Sequence, residues 1–208
     1  MQVNTQAQPL QSAAEMPRFS YIIRACMEPT ERPTIKGIFV KSHIRALERE
    51  RGVEGVRELT ERIGHPINYL NTDDVMISEE VQILEHIVDM LSAEPLTKEE
   101  REREAGRLHF RNFSTTPLWH IIDPLVGSNL KFVLLQSSRI AGYVFQGVQF
   151  TSEDIGPKKV RITLFNNDYP INHFRGFFEE MLRYFELVGS VDAAGLTRGR
   201  FEYTISWQ

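Results

Sequence analysis

The side chains best suited to chemistry in this sequence are its histidines, which stand far apart along the chain. The sequence contains six of them: His43, His65, His86, His109, His120 and His173. No two are separated by three or four positions, so no single helix face presents a pair of imidazoles to a metal ion. The common phosphate-binding, dinucleotide-binding, zinc-protease and serine-hydrolase motifs are also absent from the sequence. These observations lower the expectation of a common enzyme class without excluding an enzyme.

One segment surrounds a histidine with carboxylates. Glu85, His86 and Asp89 follow one another closely enough to offer ligands to one cation. The segment lies largely off the apolar stripe of its helix. We therefore interpret it as solvated surface rather than as a metal site.

Two further histidines and the single cysteine receive structural interpretations. His120 follows Trp119 in an apolar helix, and His109 lies in a similar setting. For both we predict a half-buried imidazole bonded to a backbone carbonyl rather than an axial ligand. Cys26 has only Arg24 as a basic neighbour in sequence, which favours a buried, inert thiol over a reactive one.

The composition is that of an ordinary globular protein. Hydrophobic residues make up 41% and charged residues 25%, with a formal net charge of -4, and there is no basic stripe to bind nucleic acid. A lone cysteine favours a reducing compartment. The polar N-terminus and the lack of a long apolar run predict neither a secretory signal nor a membrane span. We therefore expect a cytoplasmic protein.

The N-terminal region predicts a tail followed by one domain. Residues 1–17 are polar and aperiodic, which predicts a disordered tail. Residues 18–208 are expected to form a single α+β domain, and Phe19–Ile23 could be its first strand.

Helical patterns dominate the first half of this domain. They are interrupted at Gly52 and resume in a second short helix, which Gly64 and Pro66 end. Ser78 is the expected N-cap of the helix after that. Thr97 and Glu100 have the spacing of a capping box for the next helix. Further helices are predicted over residues 118–126 and 130–141.

The second half changes from helical to strand periodicity. We predict strands over 143–150, 159–164 and 200–207 because apolar and polar residues alternate there. Between the last two, apolar residues from Phe174 to Val188 recur at helical spacing and predict the longest helix. The order predicts an α+β fold, with an N-terminal helical part packed on a small, mainly antiparallel sheet and a long C-terminal amphipathic helix across it.

Short motifs over residues 35–207 resemble an uncharacterised family expanded in the myxobacteria. The motifs are Gly37-Ile38-Phe39, Ala105-Gly106-Arg107, Asp168 to Gly176, Leu182, Gly189 and Tyr203 to Trp207. That family is in turn similar in element order to the haem-nitric-oxide-binding domain, the 4-vinyl reductase domain and the core subunits of the Golgi-transport tethering complex. The resemblance implies helices packed on a small antiparallel sheet, with a long helix across it.

The same resemblance implies that the protein either binds a small ligand or acts as a scaffold or dimer. Some members of this wider group hold haem or another small apolar ligand between helices and sheet, whereas others act as scaffolds or dimers. The haem-binding members carry a Tyr-x-Ser-x-Arg motif. This sequence lacks that motif, so haem is not the expected cofactor.

Our leading hypothesis is a non-enzymatic ligand-binding or regulatory module. Polar residues Gln136 to Arg139 interrupt a helix that otherwise has a buried pattern, as expected for the wall of an apolar pocket with a few polar groups. Aromatic residues at helical spacing are more often plain core. The predicted lining comprises Trp119, Phe132, Gln136, Ser137, Tyr143, Phe174 and Phe178.

Two alternatives stay open. The protein could be a protein–protein interaction subunit, as a homodimer or within a larger assembly. It could also be a reductase-type enzyme, which is the weakest of the three because no acid–base or nucleophile constellation stands out in the sequence.

Overall fold

The computed structural model describes residues 32–126 and 129–208. The predicted tail over residues 1–17, the predicted strand at Phe19–Ile23 and Cys26 lie outside the described residues. The assignment of residues 18–208 to one domain stays a prediction.

Helices alternate with short strands in the first half, and longer strands dominate the second. In chain order the elements are β1 (Thr34–Lys36), α1 (Gly37–Ile63), β2 (Asp74–Met76), α2 (Ile77–Leu91), α3 (Lys98–Phe113), α4 (Pro117–Val126), α5 (Leu130–Leu135), α6 (Ser137–Val144), β3 (Phe145–Gln146), β4 (Gln149–Gly156), β5 (Lys159–Phe165), α7 (Ile171–Tyr184), β6 (Gly189–Thr197) and β7 (Arg200–Trp207).

Two of the predicted helix boundaries agree with the structure and one does not. Gly52 adopts a φ of 67° and breaks α1 into two segments, as predicted. The capping box is also confirmed, since Thr97 and Glu100 exchange side-chain and backbone hydrogen bonds at the start of α3. The predicted N-cap at Ser78 is wrong, because α2 begins at Ile77 directly after β2 and has no side-chain cap.

Two antiparallel sheets are present in the described residues. The smaller has the strand order β2-β1-β3 and the larger β4-β5-β7-β6. The single strand predicted over 143–150 is wrong, because Tyr143 and Val144 end α6 and the chain turns at Gly147, where φ is 80°, between β3 and β4. The sequence prediction also missed β6, whose polar and small residues give it no apolar alternation.

Helix α7 lies between the larger sheet and α3. Phe178 packs on Tyr203 of β7, with ring centroids 5.5 Å apart, and Phe174 contacts Phe150 of β4 at 5.5 Å. The prediction that this helix is the longest and reaches Val188 is wrong: α7 ends at Tyr184, is shorter than α1, α2 and α3, and Val188 is 73% exposed. The α+β architecture with a long helix across an antiparallel sheet is confirmed.

The other face of α7 meets α3 at two glycines. A Cβ atom on Gly106 would lie 1.7 Å from the carbonyl oxygen of His173, and one on Gly176 would lie 1.9 Å from that of Arg103. The two backbones are therefore in direct contact. Arg103 closes the crossing by donating to Glu179 over 2.6 Å. This contact brings one turn of α3 against the first turn of α7.

Candidate functional site

A small apolar cavity lies between α3, α5, α6, α7 and the larger sheet. Its volume is about 60 Å³. Its lining is dominated by aromatic and aliphatic side chains, among them Phe113, Trp119, Val133, Phe174, Phe177 and Met181. Apolar walls of this kind offer a water molecule few hydrogen-bond partners.

The structure brings together four of the seven predicted lining residues. Trp119, Ser137, Phe174 and Phe178 all line this cavity. The assignment of these side chains to a binding site stays a prediction.

The other three predicted residues lie elsewhere. Phe132, Gln136 and Tyr143 line a groove on the surface formed by α4, α5 and α6, where Phe132 is 47% and Tyr143 69% exposed. The reason is that α5 and α6 are separate helices that meet at Gln136. The inward face of this region carries Val133 and Ala141 instead.

One hydroxyl in the cavity wall has no hydrogen-bond partner. Ser137 Oγ is buried and contacts neither a donor nor an acceptor. A buried hydroxyl without a partner costs free energy and calls for a physical explanation. Ser137 is therefore the side chain most suited to bond a polar atom of a guest molecule.

A cluster of polar side chains lies at one edge of the same cavity. We call it the histidine cluster, and it consists of His43, Glu80, His109, Asn112, Tyr169 and His173. Their exposed fractions run from 0% to 4%. His109 belongs to both sites, since its ring also lines the cavity. A buried polar cluster of this size requires internal hydrogen bonds.

Hydrogen bonds link the cluster through Glu80. His43 Nε2 lies 2.9 Å from Glu80 Oε1, and the Tyr169 hydroxyl donates to Glu80 Oε2. His109 Nε2 lies 3.9 Å from Glu80 Oε1, beyond hydrogen-bond distance. Glu80 thus faces three potential donors, one each from α1, α3 and the connection between β5 and α7.

The ring nitrogens of His43 and His109 that face away from Glu80 also have hydrogen-bond partners. His109 Nδ1 lies 2.9 Å from His173 Nε2, and the Asn112 side-chain nitrogen lies 3.0 Å from His43 Nδ1. His173 Nδ1 is buried and has no partner. The expectation of a half-buried His109 bonded to a backbone carbonyl is therefore wrong. The predicted half-burial of His120 is wrong too, since His120 is exposed on α4.

Burial shifts the ionisation of every group at the centre of the cluster. It lowers the pKa of His43 to about 3 and that of His109 to about 4, because a charged imidazole loses its hydration there. The pKa of His173 is lowered for the same reason. Burial raises the pKa of Glu80, against the opposing effects of His109 and the Tyr169 hydrogen bond. The imidazoles are therefore neutral at neutral pH.

Sequence reasoning missed this cluster because it searched for spacing within single helices. A different signal was available. His43 lies between Val40 and Leu47 on the buried stripe of α1, and Glu80 precedes Ile83 and Leu84 on the stripe of α2. Ionisable residues on the apolar face of several helices point to a shared polar cluster, since each would otherwise be buried without a partner.

The fold is that of H-NOX domains. An oxygen-binding H-NOX domain related to soluble guanylate cyclases superposes with a TM-score of 0.62 at 18% identity, covering 83% of this chain and 95% of that one. A Cs H-NOX variant carrying 4-cyano-L-phenylalanine gives a TM-score of 0.61 at 18% identity, covering 83% and 96%. A Tt H-NOX double variant gives 0.61 at 19%, covering 83% and 95%.

These comparisons confirm the distant likeness to the haem-nitric-oxide-binding fold group. No family model and no curated protein sequence matches the chain. Among the described helices, none has both the length and the apolar character needed to cross a bilayer.

The residues around the cavity do not fit haem. A volume of about 60 Å³ is far below the ~300–1,000 Å³ of pockets that hold drug-sized ligands. The lining includes one imidazole, that of His109, and its Nδ1 atom is engaged by His173. Lysine and arginine are absent from the described lining, so nothing there would pair with propionates. The likeness to H-NOX domains therefore extends to the fold and not to a haem pocket.

Proposed function

We propose that the chain is a non-enzymatic regulatory module that binds a small, largely apolar ligand in the cavity between α3, α5, α6, α7 and the sheet. The observation that carries this proposal is an aromatic-lined cavity with one buried hydroxyl, Ser137 Oγ, that lacks a partner. Apolar walls with a few placed polar groups are typical of ligand sites. The fold is compatible with this role, since one of its structural neighbours is an oxygen-binding domain.

The size of the cavity limits the ligand. An engineered protein cavity of ~150 Å³ holds benzene or xenon, and the volume here is about 60 Å³. The ligand class is therefore a diatomic gas or an organic molecule of a few heavy atoms. A ligand with one hydrogen-bonding atom would satisfy Ser137 and bind better than a purely apolar one of the same size.

A regulatory role requires that the ligand favour one conformation over another. Helices α5 and α6 supply Val133, Ser137 and Ala141 to the cavity wall and present Phe132 and Tyr143 on their outer surface. A ligand that displaces the inner side chains would move the outer ones with them. The signal is therefore expected on the surface formed by α4, α5 and α6.

Xenon and n-propanol are suitable probes of the cavity. Titrated into the full chain, each should shift the methyl NMR signals of Val133, Ala141 and Val144 in a saturable manner, because these methyl groups line the cavity. The Ser137→Ala variant should leave xenon binding within about twofold and weaken n-propanol by about fivefold, as expected for the loss of one hydrogen bond of ~1 kcal/mol.

A variant that fills the cavity provides the second measurement. Ala141→Leu should abolish the shifts by both probes and raise the free energy of unfolding in urea by about 1 kcal/mol, as cavity-filling substitutions commonly do. Gly142→Ala is the matched control for probe binding, because Gly142 is the next residue of α6 and faces open space. Unchanged probe binding in Ala141→Leu would contradict the proposed site.

The buried ionisable groups do not by themselves favour an enzyme. A cluster of shifted titratable groups is a common sign of an active site. Here His43, Glu80 and His173 have no exposed surface, so a substrate has no access to them in this conformation.

A second candidate function is self-association through the surface groove of α4, α5 and α6. Ile121 is 65% exposed, and it borders the exposed rings of Phe132 and Tyr143. A contiguous exposed apolar surface favours a protein interface. Arg139 is the one charged residue among the described residues that line the groove. The rest of this surface therefore suits an apolar contact with a second copy.

Ile121→Glu should therefore weaken a dimer at least tenfold in sedimentation-velocity measurements across a concentration series, because it places a carboxylate in the apolar contact. Val53→Glu serves as the control, since Val53 is 72% exposed on α1 and outside the groove. A wild-type chain that stays monomeric at the highest concentration would rule out this second candidate.

A further inference from the structure

Three side chains of the histidine cluster have the arrangement of metal ligands. His43 comes from α1, Glu80 from α2 and His109 from α3. One ligand atom from each lies within 4.8 Å of the other two, and all three residues are buried. Two imidazoles and a carboxylate form a common ligand set for zinc.

Two of the three separations lie close to those around a single ion. A tetrahedral ion with ligand bonds of ~2.0–2.1 Å places its ligand atoms ~3.3 Å apart. His43 Nε2 lies 2.9 Å from Glu80 Oε1, and His109 Nε2 lies 3.9 Å from the same oxygen. The two distances bracket the ideal value, so small side-chain movements would bring these atoms to an ion.

Each of these three ligands also has a partner on its far side. His109 Nδ1 contacts His173 Nε2, Tyr169 donates to Glu80 Oε2, and the Asn112 amide contacts His43 Nδ1. Such outer partners orient metal ligands and fix the imidazole tautomer. For His43 to bind through Nε2, its Nδ1–H must donate to the Asn112 oxygen, which a 180° rotation of that amide provides.

We propose that His43, Glu80 and His109 bind one divalent transition-metal ion of the zinc class, with His173, Asn112 and Tyr169 orienting them. The three ligands leave a fourth position for water or a small exogenous ligand. The ion would compensate the charge of the buried Glu80 carboxylate. This inference does not depend on the proposed ligand of the apolar cavity.

The test uses the full chain, stripped with a chelator and titrated with zinc. Calorimetry and elemental analysis should show one zinc per chain. Glu80→Gln should weaken binding by more than about 100-fold, and Asn112→Leu by about 10–100-fold, as is typical when an outer partner is lost. His120→Asn should bind as the wild type does, because His120 is exposed on α4.

Cobalt provides a measurement that needs no variant. Co²⁺ bound to wild-type protein should give the intense visible absorption of a four-coordinate ion, and zinc should displace it. Zinc bound at well below one equivalent, equal zinc affinity in Glu80→Gln, or a weak six-coordinate cobalt spectrum would each overturn the proposal. Where Glu80→Gln fails to fold by circular dichroism, the cobalt spectrum decides.

Discussion

Gly106→Ala should destabilise the protein by about 3 kcal/mol or more, because the added methyl group has no space between two backbones. The new Cβ would lie 1.7 Å from the His173 carbonyl oxygen, and backbone atoms at a helix crossing cannot move aside as a side chain can. Overpacking typically costs ~1–3 kcal/mol, and the cost is larger where the backbone must shift. The free energy of unfolding from urea denaturation measures the effect.

Gly142→Ala is the matched substitution. Gly142 is also a helical glycine, and a Cβ atom there meets nothing within 4 Å. Alanine should stabilise this position by up to ~1 kcal/mol, because it reduces the conformational entropy of the unfolded chain. Similar stabilities for the two variants would show that α3 and α7 are not in backbone contact.

The sequence predicted the fold well where periodicity is strong. The apolar repeat of α7 and the alternation of β5 and β7 lie in the buried layers, where burial on one face imposes the period. The wrong predictions concern where helices and strands begin and end. Tyr143 is predicted to lie in a strand because the period changes from helical to strand-like there, although it lies in the last turn of α6.

The candidate site was predicted less completely, for a geometric reason. Phe174 and Phe178 are predicted correctly because they lie on one periodic stripe. Phe132 and Gln136 are misplaced because the sequence predicts one continuous helix over 130–141, and Tyr143 is misplaced because it is predicted to lie in a strand. A break between two helices rotates every later side chain about the helix axis. Such a break has no strong signal when neither glycine nor proline marks it.

The histidine cluster could not be assembled from local patterns. His109 and His173 are joined by the crossing of α3 and α7, and that crossing depends on Gly106 and Gly176. In the sequence, nothing local links these two glycines to the two histidines. Only the packing of two helices distant in sequence shows that the close approach of the backbones brings the two imidazoles together.

The three buried histidines should make the protein sensitive to mild acid. Burial holds the pKa values of His43 and His109 at about 3 and about 4, against an ordinary value of 6.5, and lowers that of His173. Below pH 6.5 the unfolded chain takes up protons that the folded chain does not, so stability falls with pH until the folded-state values are reached.

Between about pH 7.5 and 5.5 the three groups together should remove roughly 4 kcal/mol of stability. Glu80 acts in the opposite direction, because its raised pKa favours proton uptake by the folded state. One carboxylate can return at most about 2.7 kcal/mol over two pH units, so a net loss of at least about 1.3 kcal/mol is expected. Urea unfolding at the two pH values, in the presence of a chelator, measures it.

Substitution of single histidines identifies the source of this pH dependence. His173→Gln should reduce the loss by about 1 kcal/mol, because one of the three titrating groups is removed. His120→Asn should leave the loss unchanged, since His120 is exposed on α4 and does not belong to the histidine cluster. A wild-type loss below about 1 kcal/mol would mean that the cluster accepts protons while folded. The buried imidazoles would then be open to solvent, and the closed packing of α1, α2, α3 and α7 around them would be wrong.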